Sequence, residues 1–130
     1  MANLIIPDSN VFINATRAGL DPFVEFGAHV EEWEFATCGM IVLEVTRGLR
    51  FPKILQSFRE RFAVMIYIST TNQIWERAAQ LAWSLDRQGI TLPAQDILIA
   101  THALHADATV LTHDAHFQHI PGLRVVDRLT

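Results

Sequence analysis

The chain predicts an α/β domain, a mainly parallel sheet covered on both faces by helices. Short apolar runs rich in β-formers alternate with segments whose apolar residues recur at helical spacing. Capping and turn residues punctuate most of the boundaries between them. At 130 residues the chain suits one domain with a real core, and no internal repeat, low-complexity tract or linker divides it.

Taken in order, residues 4–6 form a short buried strand and Asp8-Ser9-Asn10 a turn with helix-capping chemistry. A first helix starts in residues 11–17 and stops at Gly19, and Asp21-Pro22 caps a second that runs to about residue 29. Residues 35–38 are the next strand. In residues 40–49 the apolar positions Ile41, Val45 and Leu49 keep helical spacing with Glu44 beside them. Pro52 breaks that helix and permits another through about residue 61, and residues 62–68 read as a strand. Thr70 or Thr71 caps a long helix with the apolar face Ile74, Trp75, Ala78, Leu81, Ala82 and Leu85, closed by Gly89. Residues 93–105 are helical, residues 108–111 a buried strand, and residues 123–126 a last strand after the Pro121-Gly122 turn. Strands separated by helices imply parallel pairing, and ligands of such sheets bind beyond the carboxyl ends of the strands.

Half the residues are hydrophobic and the mean hydropathy is +0.20, high for a small domain. Apolar surface is therefore expected to remain for a homodimer or another protein. The lone cysteine, Cys38, has no internal disulfide partner, reads as a small buried hydrophobe and suits a reducing compartment. No basic segment precedes a signal-like apolar stretch, and no apolar run approaches the roughly 18 residues of a membrane span. A soluble cytoplasmic protein without a membrane partner is the expectation. The net charge of −4 argues against binding nucleic acid by bulk electrostatics. Arg47, Arg50, Lys53, Arg59 and Arg61 nevertheless make up half of the Lys and Arg and crowd one short segment. They form either a basic surface, with Arg47, Arg50 and Lys53 as candidate nucleic-acid contacts, or an ordinary solvated helix face.

Four acids stand at the ends of apolar runs: Asp8 after residues 4–7, Glu44 after residues 40–43, Asp96 before residues 97–100, and Asp114 after residues 109–112. A charge beside buried structure is costly unless paired, and a divalent cation is the natural partner of several converging carboxylates. Each acid also has an ordinary explanation. Asp8 suits an Asx-turn or helix cap, Glu44 can pair with Arg47, Asp96 lies in a first helical turn, and Asp114 can cap a turn. The joint pattern points to metal-dependent phosphoryl or phosphodiester chemistry. His102, His105, His113, His116 and His119 offer a competing zinc site at three-residue spacing, but no accompanying zinc motif is present. Surface histidines are expected, with His116 near the acids. A phosphate-cradling glycine loop and a serine nucleophile elbow are both missing. Trp33, Trp75 and Trp83 read as core or interface packing rather than base stacking.

The acids and their surroundings resemble the PIN-domain ribonucleases, most closely the VapC-type toxins. The matching pieces are Ile6-Pro7-Asp8-Ser9-Asn10-Val11-Phe12, Leu43-Glu44-Val45-Thr46-Arg47-Gly48, Pro93-Ala94-Gln95-Asp96-Ile97-Leu98-Ile99-Ala100-Thr101-His102-Ala103 and Val110-Leu111-Thr112-His113-Asp114-Ala115-His116-Phe117. Weak singly, they are fairly specific together, and their order spans nearly the whole chain. The resemblance implies a three-layer α/β/α sandwich holding Mg²⁺ or Mn²⁺ at the carboxyl edge of its sheet. It makes Asp8 and Asp96 the main metal ligands, with Asp114 beside them and Glu44 acting through water. Asn10 and Thr112 match the polar positions that support those acids, and His116 carries no role over. It further implies RNA as substrate, and an antitoxin that covers the pocket and offers it an arginine. A catalytically silent module that binds RNA or protein is the alternative, but none of the four acids is missing. A haloacid-dehalogenase-type phosphatase would want a second Asp at the position of Asn10 and a late lysine, whereas Lys53 is the only lysine. A phospho-receiver domain fails on similar grounds.

Overall fold

The computed structural model describes residues 3–130. Five parallel strands form one sheet in the order β3-β2-β1-β4-β5. They are β1 (Asn3–Pro7), β2 (Trp33–Cys38), β3 (Ile66–Ile68), β4 (Thr109–Leu111) and β5 (Arg124–Val126). The helices are α1 (Ser9–Arg17), α2 (Pro22–Gly27), α3 (Gly39–Thr46), α4 (Pro52–Phe62), α5 (Asn72–Arg87) and α6 (Ala94–Ala106), with a 3₁₀ turn at Ala115–His119. Register pairs Ile5 with Phe35 on one side of β1 and with Thr109 on the other. The chain runs outward from β1 to β2 and β3, then returns across the sheet to β4 and β5. Right-handed crossovers therefore put α1–α4 on one face and α5 with α6 on the other. Between β1 and β4 the direction of winding reverses, and an open parallel sheet forms its ligand crevice at that point.

Local chemistry sets the boundaries. Asp21 caps α2 through Phe23 N (3.0 Å) with Pro22 at the first position, and Thr71 caps α5 through Ile74 N (3.3 Å). Gly19 (φ +75°) and Gly89 (φ +81°) take the left-handed conformation that lets the chain leave α1 and α5. At the start of α3 a Cβ on Gly39 would stand 3.0 Å from the Tyr67 hydroxyl, so glycine permits the close approach of β3.

On the face of α1–α4, an aromatic cluster ties three helices to the sheet. Phe12 of α1 lies 5.6 and 5.4 Å from Phe23 and Phe26 of α2 and 5.1 Å from Phe62 of α4, and Phe26 stacks at 4.8 Å on Phe35 of β2. On the other face α6 is buried from Ile97 to Ala103, packed on α5 and touching β1 and β4. No helix among the described residues is long and apolar enough to cross a membrane.

Several sequence expectations need correction, and the helix expected over residues 40–49 ends at Thr46. The strand expected over residues 62–68 is only Ile66–Ile68, because Phe62 ends α4 inside the aromatic cluster. The second helix ends at Gly27 rather than near residue 29. Trp75, placed on the apolar face of α5, is 53% exposed, while its neighbour Ile74 is buried.

Candidate metal centre

Asp8 follows β1 directly and its backbone N–H continues the ladder to Leu111 O (2.8 Å), which fixes it between β1 and β4. It is 3% exposed. Its Oδ1 accepts from Ser9 N (2.8 Å), so it does cap α1. Its Oδ2 accepts from the Asn10 amide (3.1 Å) and the Thr112 hydroxyl (2.9 Å). Thr112 is likewise held by the sheet, through its N–H to Val126 O (3.0 Å). While donating to Asp8, the Thr112 hydroxyl accepts from Asn10 Nδ2 (3.1 Å) and from Asp114 N (3.0 Å). Asn10 Oδ1 closes the network by accepting from His113 N (3.2 Å). Asn10 and Thr112 thus fix the Asp8 carboxylate and tie it to the backbone of Asp114.

Asp96 lies in the first turn of α6, and Asp114 caps the 3₁₀ turn through His116 N (2.9 Å). That cap folds His116 back over the acids. His116 Nδ1 stands 2.8 Å from Asp96 Oδ2 and 3.2 Å from Asp114 Oδ2. Asp96, Asp114 and His116 offer ligand atoms within 4.8 Å of one another. Glu44 projects from α3, half-buried, and its Oε1 is buried without a hydrogen-bond partner.

The electrostatics show that these groups share one site. Burial pushes the Asp8 carboxyl up to about 6 against the pull of Thr112 and Ser9, and the charges of Asp96 and Glu44 add to the rise. Burial also raises Glu44. The Ser9 hydroxyl opposes that rise, Asp96 adds to it, and Arg47 pulls the other way. The hydrogen bond to Asp96 raises His116, helped by the charges of Asp114, Asp96 and Asp8.

The four acids singled out in the sequence therefore converge, from β1, α3, α6 and the segment after β4. Glu44 brings an orphaned buried oxygen to this group of carboxylates, and oxygen-rich donor sets of this kind suit Mg²⁺ or Mn²⁺. Of the basic candidates, Arg47 lines a pocket with Glu44. Arg50 and Lys53 are exposed and make no hydrogen bond or ion pair with the acids.

The histidines do not assemble a zinc site among the described residues. His105 meets Arg77 (2.8 Å), His113 meets Asn14 (2.8 Å), and His102 is fully buried with Nε2 on the Thr70 hydroxyl (2.9 Å). His102 thus departs from the expected surface position, and burial lowers its pKa. Sequence reasoning placed His116 near the acids without giving it a partner. The available signal was Asp114 two residues earlier, whose capping turn aims the following side chain inward.

The PIN domain family model matches residues 5–123. A chain of the VapBC2 complex of Rickettsia felis, bound to a promoter DNA fragment, shares the fold with a TM-score of 0.78 at 20% identity, over 95% of this chain and 97% of its own. A chain of the DNA-bound VapBC of Salmonella typhimurium gives 0.78 at 21%, over 97% and 98%. A chain of a toxin-antitoxin complex from Klebsiella pneumoniae gives 0.70 at 25%, over 94% and 95%. No curated protein matches by sequence. With the family model spanning nearly the whole chain and the acids gathered at the switch point of a five-stranded parallel sheet, this chain belongs to the PIN domain family.

Proposed function

We propose that the chain is a metal-dependent endoribonuclease, the toxin of a toxin–antitoxin pair. The observation that carries this reading is the convergence of Asp8, Glu44, Asp96 and Asp114, with Glu44 Oε1 buried and unpaired. Asp8, Asp96 and Asp114 would hold Mg²⁺ or Mn²⁺, with Glu44 acting through water. A cation bound there polarises the scissile phosphate and lowers the pKa of a water.

The chain's own groups do the rest. Thr112 and Asn10 hold Asp8 in one orientation, so the pocket is organised before substrate arrives. Glu44 or Asp114 orients the attacking water and takes its proton as the oxygen bonds to phosphorus. The bond from phosphorus to the 3′ oxygen breaks, that oxygen takes a proton from solvent, and the phosphate stays on the 5′ end of the downstream fragment. His116 is held by Asp96 and Asp114, so a cation bound there would compete with it for those carboxylates.

An antitoxin partner is supported by the toxin–antitoxin complexes among the structural neighbours. Exposed Leu20, Val24, Phe51 and Val64 leave apolar surface for it and for a homodimer. A cytoplasmic location fits such a pair.

The test is cleavage of cellular RNA by purified, antitoxin-free protein with Mn²⁺ or Mg²⁺. Cutting should disappear with EDTA and fall by at least roughly a hundredfold in Asp8→Ala. Cutting that survives Asp8→Ala would reject this site. A folded protein that leaves RNA uncut would favour a silent binding module.

A further inference from the structure

The geometry points to a base-binding platform beside the acids, with Trp75 stacking an unpaired nucleobase next to the scissile phosphate. This inference rests on the nuclease reading and adds how the single strand is held. A pocket of about 360 Å³ opens between the first turns of α5 and α6 and the flank of α3. Glu44 belongs both to this pocket and to the acidic cluster, so whatever fills the pocket lies against the reacting centre.

Three further lining residues give the pocket a chemistry. Trp75 is 53% exposed although it lines the pocket, so part of its indole is open to solvent. Arg47 is exposed and makes no ion pair with any described residue, which leaves its guanidinium for a backbone phosphate. Gln95, next to Asp96 in sequence, brings an amide that can both donate to and accept from a base edge. Met40, Leu43 and Leu98 supply apolar walls.

An aromatic platform, a cation and an amide within one pocket match the way proteins hold splayed-out single-stranded bases. The net charge of −4 makes such local contacts necessary, because bulk attraction for RNA is lacking. Trp83, also exposed on α5, is different. Its ring is covered by Arg87 at 4.9 Å and it is not part of this pocket.

The test is saturation kinetics of Mn²⁺-dependent cleavage of single-stranded oligoribonucleotides by wild type, Trp75→Ala, Trp75→Phe and Trp83→Ala. Substrates carrying one abasic ribose at successive positions are run alongside. Trp75→Ala should raise KM roughly tenfold or more with little change in kcat, Trp75→Phe should recover most of it, and Trp83→Ala should match wild type. An abasic position beside the cut should penalise wild type and add little to Trp75→Ala. Wild-type KM in Trp75→Ala, with an unchanged abasic profile, overturns the platform and leaves the nuclease standing. A wild-type protein that cuts no RNA overturns both. Trp75→Ala that cuts normally but loses a co-expressed protein partner assigns this face to protein binding and overturns the platform.

Discussion

At the scale of single residues, the acids do ordinary and unusual work at once. Asp8 caps α1 and Asp114 caps the 3₁₀ turn, as their positions in the sequence allowed. Each cap uses one carboxylate oxygen and leaves the other for the cluster, Asp8 Oδ2 on Asn10 and Thr112 and Asp114 Oδ2 beside His116, so structural and functional explanations of these residues are not in competition. The cost appears in the titration. Asp8 ionises near 3.9 in an unfolded chain but only at about 6 in the fold, a penalty of roughly 3 kcal/mol when it is charged. That stability is present while Asp8 is protonated and is lost as pH rises from about 4 through 6. His116 is raised above its ordinary value by Asp96 and acts in the same direction. Its contribution is complete below about 6.5 and is lost as pH rises through its folded-state value. The metal-free protein should therefore melt at a lower temperature at pH 8 than at pH 5, and saturating Mn²⁺ should remove most of the difference. A thermal melt series with and without EDTA reads this directly, and a metal-free midpoint that climbs towards pH 8 would refute the shifts.

At the scale of elements, the sequence was clearest where a boundary had its own chemistry. Asp21-Pro22, Thr71, Gly89 and Pro93 all mark helix ends or starts in the fold. It was least clear where one apolar run served two elements. Residues 62–68 are apolar throughout, so periodicity could not show that Phe62 closes α4 while only Ile66–Ile68 pair as β3. Trp75 and Ile74 are neighbours on α5, and a single step of about 100° around the helix separates the buried position from the exposed one too finely for spacing to decide. His102 was expected at the surface because its burial depends on α6 being covered all round and on a hydroxyl from Thr70. The aromatic cluster gives the element-scale prediction. Phe12 joins α1 to α2 and α4 with no exposed surface, so Phe12→Ala should cost about 3–5 kcal/mol in urea denaturation. A loss below about 1 kcal/mol would show that the cluster does not hold those helices.

At the scale of the whole molecule, strand order is what turns four distant acids into one pocket. The reversal of winding between β1 and β4 puts Asp8 and Asp114 on adjacent strand ends, and α3 and α6 bring Glu44 and Asp96 to them. Composition and periodicity indicated a parallel sheet with chemistry at its carboxyl edge. They carried nothing about strand order; the placement of the acids at the ends of apolar runs suggested that they meet, and the resemblance of the motifs implied it. The partnership of His116 with Asp96 and Asp114 depends on a turn only the fold reveals. A pocket built for a divalent cation should bind one in isolation, and calorimetric titration of Mn²⁺ at pH 7.5 measures that. Wild type should bind Mn²⁺ with a measurable heat, and Asp96→Asn, still folded by circular dichroism, should weaken binding by roughly tenfold to a hundredfold. Equal binding by both proteins, or none by wild type, would contradict the account.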